Sequence, residues 1–254
     1  KDLKNNTDWI AIQKGYDYNT DVLDTKGDFI YIMTDKNAPN MKLQKFDIKN
    51  PSVWTDVIPE TENVLSASTG GGYIFAKYMK DAVSYMKQFD YNGKLIREIT
   101  LPGIGTASNI GGKETAKELY YSFSNYITPG TTYKFNVENG TSEIYQKPNV
   151  KFNPEDYVSE QVFFTSKDGT KVPMMISYKK GIKLNGKNPT ILYGYGGFNI
   201  SVTPNFSVVN AIWMENGGIY AVPNLRGGGE YGKKWHVAGT QMQKKNVFED
   251  FIAA

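Results

Sequence analysis

Tyr73-Ile74-Phe75-Ala76 is the middle one of three similar apolar runs, preceded by Phe29-Ile30-Tyr31-Ile32 and followed by Leu119-Tyr120-Tyr121-Ser122, at intervals of about 45 residues. Each run is followed by a second element: Lys45-Phe46-Asp47-Ile48, Gln88-Phe89-Asp90-Tyr91 and Lys134-Phe135-Asn136-Val137. A third series reads Trp54-Thr55-Asp56-Val57-Ile58, Leu95-Ile96-Arg97-Glu98-Ile99 and Ser142-Glu143-Ile144-Tyr145. Turn dipeptides such as Asn92-Gly93 and Asn139-Gly140 separate these strand-like runs. Short strands repeating at this period are the pattern of four-stranded propeller blades, and about three blades are visible. Such blades bury their faces against neighbours in a ring, so three alone leave open edges. A β-sandwich with coincidental spacing is the alternative, and the three matched series argue against it.

Composition supports a globular, strand-rich protein. The 254 residues suit one large domain or two smaller ones, and 40% hydrophobic content is enough to build cores. Aromatics at 14%, with 25 Gly, fit strands and turns better than a helical bundle. A formal charge of +3, scattered along the chain, excludes a nucleic-acid footprint. With no Cys and one His, neither a Cys/His zinc cluster nor a disulfide framework can be built, and no metal or cofactor is signalled. No run approaches the ~20 apolar residues that span a bilayer, and Lys1-Asp2-Leu3-Lys4-Asn5-Asn6 is not a signal peptide. The expectation is a soluble protein, cytoplasmic or periplasmic. Because Phe251-Ile252-Ala253-Ala254 stops inside an apolar run, the chain reads as cut at both ends.

Around residue 150 the style changes. Gln161-Val162-Phe163-Phe164-Thr165-Ser166 and Val172-Pro173-Met174-Met175-Ile176-Ser177 flank Lys167-Asp168-Gly169-Thr170, a hairpin on an Asp-Gly turn. Thr190-Ile191-Leu192-Tyr193 predicts a strand, Ser207 to Met214 a helix ending near Gly217-Gly218, and Ile219 to Asn224 another strand. Asn246 stands where an N-cap would, with Glu249 three positions on. The fold expected is mixed β and α/β: propeller blades over residues 1–150 and an α/β sheet over 151–254.

Tyr193-Gly194-Tyr195-Gly196-Gly197-Phe198 directly follows a strand, where an α/β-hydrolase places an oxyanion donor. Local sequence alone reads Tyr195 as a packed aromatic beside tight glycine turns, and Phe198 equally well as core. The run Ile191 to Asn199, followed by Asn224-Leu225-Arg226-Gly227-Gly228-Gly229-Glu230-Tyr231-Gly232 and Trp235-His236, resembles the prolyl oligopeptidase family over nearly the whole chain. That resemblance implies the last blades of a β-propeller plus the first part of an α/β-hydrolase domain. It implies a serine peptidase cleaving short peptides on the carboxyl side of proline, with a proline-containing oligopeptide as partner and neither nucleic acid nor membrane. It gives Tyr195 the role of oxyanion donor and Phe198 a place lining the substrate site. A phenol suits that role because its ordinary pKa of about 10 keeps the proton at neutral pH.

No G-x-S-x-G elbow occurs in the sequence, and by resemblance the Ser, Asp and His of the triad follow Ala254, so this stretch is expected to be inactive by itself. The lone His236 precedes any elbow and reads as packing beside Trp235 and bonding a backbone group. Gly103-Ile104-Gly105 and Gly111-Gly112-Lys113 lack the remainder of nucleotide-binding motifs and read as turns. Gly227-Gly228-Gly229 leads into Glu230 rather than a basic residue, which disfavours a phosphate cradle. The rivals are a family member of different specificity, and a non-catalytic propeller module for binding. Open edges predict self-association.

Overall fold

In the computed structural model, which describes residue 9 and residues 11–254, the repeat resolves into three antiparallel sheets. The reading of residues 1–6 lies outside the described residues. The first sheet is β1 (Thr20–Lys26), β2 (Phe29–Thr34), β3 (Lys42–Asp47) and β4 (Asn50–Ile58). The second is β5 (Val64–Gly70), β6 (Tyr73–Lys80), β7 (Val83–Phe89) and β8 (Leu95–Ile99). The third is β9 (Thr106–Ala107), β10 (Glu118–Ser124), β11 (Thr131–Asn136) and β12 (Ser142–Gln146). Each has its strands in chain order, as expected of a propeller blade. The repeat is also a repeat of register: Ile30 pairs with Phe46, Ile74 with Phe89 and Leu119 with Phe135.

Side chains of a strand alternate between the two faces of its sheet, and in the middle blade both faces are buried. Ile74, Ala76 and Tyr78 join Tyr31, Met33 and Leu43 of the first blade in one core. Phe75 points the other way, into a second core with Tyr121, Phe123 and Phe135 of the third. This is why Tyr73-Ile74-Phe75-Ala76 is continuously apolar rather than alternating. The glycine pair Gly111-Gly112 is not a free turn: Gly111 bridges to Tyr120, and the Gly112 N–H donates to Thr69 O of the second blade.

The fourth sheet differs in plan. β13 (Tyr157–Thr165) and β14 (Lys171–Lys179) form the hairpin, with Gly169 at φ +88° in its turn. β15 (Thr190–Leu192) runs through α1 (Val208–Glu215) to β16 (Ile219–Pro223), which pairs parallel to β15 and antiparallel to β14. The sheet order is β13-β14-β16-β15, so β15 has a free edge among the described residues. α2 (Gly232–Val237) and α3 (Lys245–Ala253) follow. The reading of Asn246 as N-cap is corrected here. α3 continues from a 3-10 turn at Gln241–Gln243 and is entered through Lys244, already at helical φ −56° and ψ −28°. Asn246 therefore lies inside the first turn, and its amide donates to Ala238 O at 2.9 Å. Glu249 pairs with Lys167 and Lys245 instead of closing a capping box.

The third blade meets the fourth sheet through Tyr126, which packs with Met175, Tyr220 and Val222. The second blade meets it through Asp81, whose carboxylate accepts from the Tyr231 hydroxyl at 2.7 Å and whose carbonyl accepts from Gln161.

Candidate active site

β15 delivers its chain to the site. The Tyr193 N–H prolongs the pairing with Ala221 O at 2.9 Å, and the backbone then leaves the sheet as Gly194 to Asn199. Glycine at 196 is set by proximity: a Cβ there would stand 2.4 Å from Val247 Cγ1 and 2.6 Å from Arg226 O. Facing it, a Cβ on Gly227 would meet Gly196 O at 2.8 Å. Two glycine segments, one after β15 and one after β16, thus pack backbone against backbone.

The loop ends in an uncommon pair. Phe198 and Asn199 are non-glycine residues at φ +52° and +58°, a left-handed conformation that costs each roughly 1–2 kcal/mol. Opposing that cost, the Asn199 N–H donates to Gly227 O at 3.1 Å and the Ile200 N–H to Gly197 O at 3.0 Å. Lys244 donates its ammonium to Gly196 O. The side chains lifted out of this fixed backbone are Tyr195, 38% exposed, and Phe198, 85% exposed. Neither is a core residue. Both border a cavity of about 280 Å³ that is also lined by Leu225, Val247, Phe248 and Phe251. A larger cavity of about 570 Å³, lined by Lys36, Gln44 and Trp54 among others, lies against the first blade and holds none of these residues.

Behind the loop lies a buried ionic group that spacing did not suggest. Arg226, 4% exposed, reaches the fully buried Asp250 of α3 from Nη2 at 2.6 Å and from Nε at 2.9 Å. The Arg226 N–H donates to the same carboxylate at 3.1 Å. Its Nη1 donates to Asp168, and Nη2 donates also to Ser166 Oγ, both at the hairpin turn. The guanidinium holds the Asp168 carboxyl well below the usual carboxylate range. Such a pair, bonded at every face, ties α3 and the hairpin to the strand end that supports the loop.

Gly227-Gly228-Gly229 is not a phosphate cradle. Cβ positions on Gly228 and Gly229 would meet the carbonyls Ile200 O at 2.9 Å and Asn199 O at 2.7 Å, so oxygens and not donors face the segment. It leads to Glu230, fully buried, which accepts from the Val202 N–H at 2.8 Å and from Asn224 Nδ2 at 3.2 Å. Burial pushes the Glu230 carboxyl above its ordinary value.

His236, on α2, contacts the backbone as the sequence implied: its Nδ1 lies 2.8 Å from Gly227 O. Beside it, Trp235 donates its indole N–H to Leu225 O at 3.0 Å. No group of three or more His, Cys, Asp or Glu residues gathers to hold a metal among the described residues. No helix among them is long and apolar enough to cross a membrane.

Comparison with known proteins places this geometry. Residues 1–148 match the family model described as "Prolyl oligopeptidase, N-terminal beta-propeller domain", and residues 204–254 match "Prolyl oligopeptidase family". The chain is 70% identical over its whole length to prolyl endopeptidase of Elizabethkingia meningoseptica, of which it covers 36%. It is 35% identical over 92% of its length to prolyl endopeptidase of Dictyostelium discoideum, covering 33% of that protein. Among solved structures, it resembles one from a study of two prolyl endopeptidases at a TM-score of 0.90 and 44% identity, over 95% of this chain and 36% of the other. It matches prolyl oligopeptidase B from Galerina marginata, bound to a 25mer macrocyclization substrate, at a TM-score of 0.90 and 32% identity, over 97% of this chain and 35% of the other. The chain therefore spans about a third of the length of the relatives it matches.

Proposed function

The chain belongs to the prolyl oligopeptidase family, and from that premise we propose that it supplies the closing blades of a propeller and the opening of the hydrolase domain in a serine peptidase that cleaves short peptides after proline. The division falls near residue 150, between the third blade and the β13–β14 hairpin. The observation that carries the reading is the loop after β15. It fixes its backbone by glycine contacts and hydrogen bonds, yet leaves the hydroxyl-bearing Tyr195 and the apolar Phe198 accessible.

In this reading Tyr195 donates its O–H to the oxygen that becomes negative when a serine attacks the scissile carbonyl. A donor held in place before the reaction needs no reorganisation as charge develops. Phe198 offers an apolar wall to the proline side of the substrate. The attacking serine and its base come from outside these residues, because the sequence has no elbow to set a nucleophile beside its one histidine.

The test is made on the full-length protein with a Gly-Pro reporter peptide. Cleavage after proline should be blocked by a serine-directed phosphonate, and Tyr195→Phe should lower kcat by about 10²–10³, the usual loss for one oxyanion donor. Unchanged kcat in Tyr195→Phe would remove the donor role, and absent cleavage would leave a binding module. The free edge of β15, together with the exposed Val208, Val209 and Ile212 of α1, supports self-association of the isolated 254-residue chain. Light scattering tests this, and a monodisperse monomer counts against it.

A further inference from the structure

We propose that His236 is a positioning residue for the loop that carries Tyr195 and Phe198, acting through the Gly227 carbonyl; the proposal rests on the peptidase reading above. Three atoms meet at one point. His236 Nδ1 lies 2.8 Å from Gly227 O, the Asn199 N lies 3.1 Å from Gly227 O, and the Asn199 N lies 3.1 Å from Nδ1. The Asn199 N–H is aimed at both Gly227 O and Nδ1, and the 2.8 Å approach of the carbonyl oxygen to Nδ1 favours the tautomer with its proton on Nδ1. An unprotonated Nδ1 would set its lone pair against the carbonyl oxygen at 2.8 Å, whereas an Nδ1–H donates to that oxygen beside the Asn199 N–H. Gly227 O thus accepts twice, once from the left-handed end of the site loop and once from α2.

The acceptor itself is fixed. The Gly227 N–H donates to Trp235 O at 3.0 Å, and Gly196 O presses against the Cα of Gly227 closely enough that no Cβ fits. A change at His236 is therefore passed to Gly227, to the Asn199 N–H and so to Phe198, whose left-handed backbone no glycine relieves. The same ring lines a cavity of about 390 Å³ between the first two blades and the loop, together with Asp35, Lys233 and Asn199. The bond does not depend on the ring's charge, since both the neutral tautomer and the imidazolium carry the Nδ1–H. A general base would behave differently, losing function on protonation.

Asparagine and glutamine separate the two ring nitrogens, because an Asn amide occupies the place of Nδ1 and a Gln amide the place of Nε2. In the full-length peptidase, His236→Gln and His236→Ala should lower kcat on the Gly-Pro reporter by about ten- to a hundredfold, a fraction of the loss of the donor itself. Amide exchange of the segment 194–202, read by mass spectrometry, should accelerate in both. His236→Asn should return kcat to within about threefold of the native enzyme, with an unshifted acid limb of the pH profile and native exchange. Should His236→Ala fail to fold, the Asn and Gln pair still decides the matter. Native exchange in His236→Gln, or an Asn variant as impaired as the Gln variant, overturns the proposal. Accelerated exchange with native kcat in the Gln variant upholds the positioning role and removes Tyr195 from the chemistry instead.

Discussion

The three blades and the fourth sheet are held together by different means. Blades lean on neighbours through apolar faces: β6 sends Ile74 and Ala76 one way, toward Tyr31 and Met33 of β2, and Phe75 the other, toward Leu119, Tyr121 and Phe123 of β10. The loop after β15 is held mostly by polar atoms that arrive from far along the chain. Lys244 reaches Gly196, Asp250 reaches Arg226, and Arg226 reaches back to Asp168 and Ser166. The first arrangement is non-directional and tolerates drift, and the second sets angles. A loop meant to present one hydroxyl in one place is better served by the second.

The largest expected effect attacks that second arrangement. Arg226→Ala leaves Asp250 buried without its cation, and breaking such a pair costs about 3–5 kcal/mol. We expect the upper end, because Asp168 and Ser166 lose a partner too. Urea denaturation of the chain measures it, and a loss below about 1 kcal/mol would mean that the ion group does not hold the fourth sheet. Phe75→Ala makes the matching attack on the blades. Phe75 is fully buried and meets Phe135 edge-on at 5.7 Å between ring centroids. Its truncation should cost about 4 kcal/mol, within the range for a buried Phe. Amide exchange should loosen β10 and β11 while leaving the segment 194–202 protected, and loosening of both regions alike would break the comparison.

The same contrast explains what could be read in the sequence. Second, third and fourth strands of each blade are apolar enough to match one another, so the period emerged from Ile30, Ile74 and Leu119 with Phe46, Phe89 and Phe135 opposite. First strands did not. Val64–Gly70 is rich in Ser, Thr and Gly, Thr20–Lys26 carries Asp21, Asp24 and Lys26, and Thr106–Ala107 has two residues. In the fourth sheet the order of elements and the glycine loop were legible, because strand, loop and helix are local patterns. The partnership of Arg226 with Asp250, the reach of Lys244 and the joint between Asp81 and Tyr231 were not, since no local pattern marks a bond between distant residues. Asn246 was misplaced for a related reason: the turn at Gln241–Gln243 starts the helix early, and a capping motif does not register what precedes it.

A smaller effect should appear as a pH dependence confined to the fourth sheet. Glu230 is buried beside Asn224 and Val202 with no cation within salt-bridge distance among the described residues, and burial raises its carboxyl above the ordinary value. A raised native value means that its protonated form favours folding. That stability is fully present below the ordinary carboxylate pKa of about 4.3 and is lost as pH rises through the native value, at up to about 1.4 kcal/mol per pH unit. Glu230→Gln keeps an oxygen for the Val202 N–H and should flatten this part of the stability profile, with its gain at neutral pH and none below pH 4. A parallel profile in both proteins would show that Glu230 keeps its charge in the fold.

The smallest effect tests the joint between the two regions. Tyr231 donates to Asp81 across it at 2.7 Å, and burial together with the Asp81 carboxylate raises the phenol above its ordinary value, so the donor keeps its proton throughout the neutral range. Asp81 sits in the β6–β7 turn at φ +50°, held independently by the strands on either side. Tyr231→Phe therefore removes one hydrogen bond to a carboxylate that is only partly buried, and should cost about 1 kcal/mol. The Gln161 bond to Asp81 O and the packing of Tyr126 against Tyr220 remain. Denaturation followed by tryptophan fluorescence should keep a single transition at slightly lower urea. If the variant instead unfolds in two steps, the hydroxyl couples blades to sheet more strongly than a single bond accounts for, and apolar packing at Tyr126 does not suffice to join two regions built on different forces.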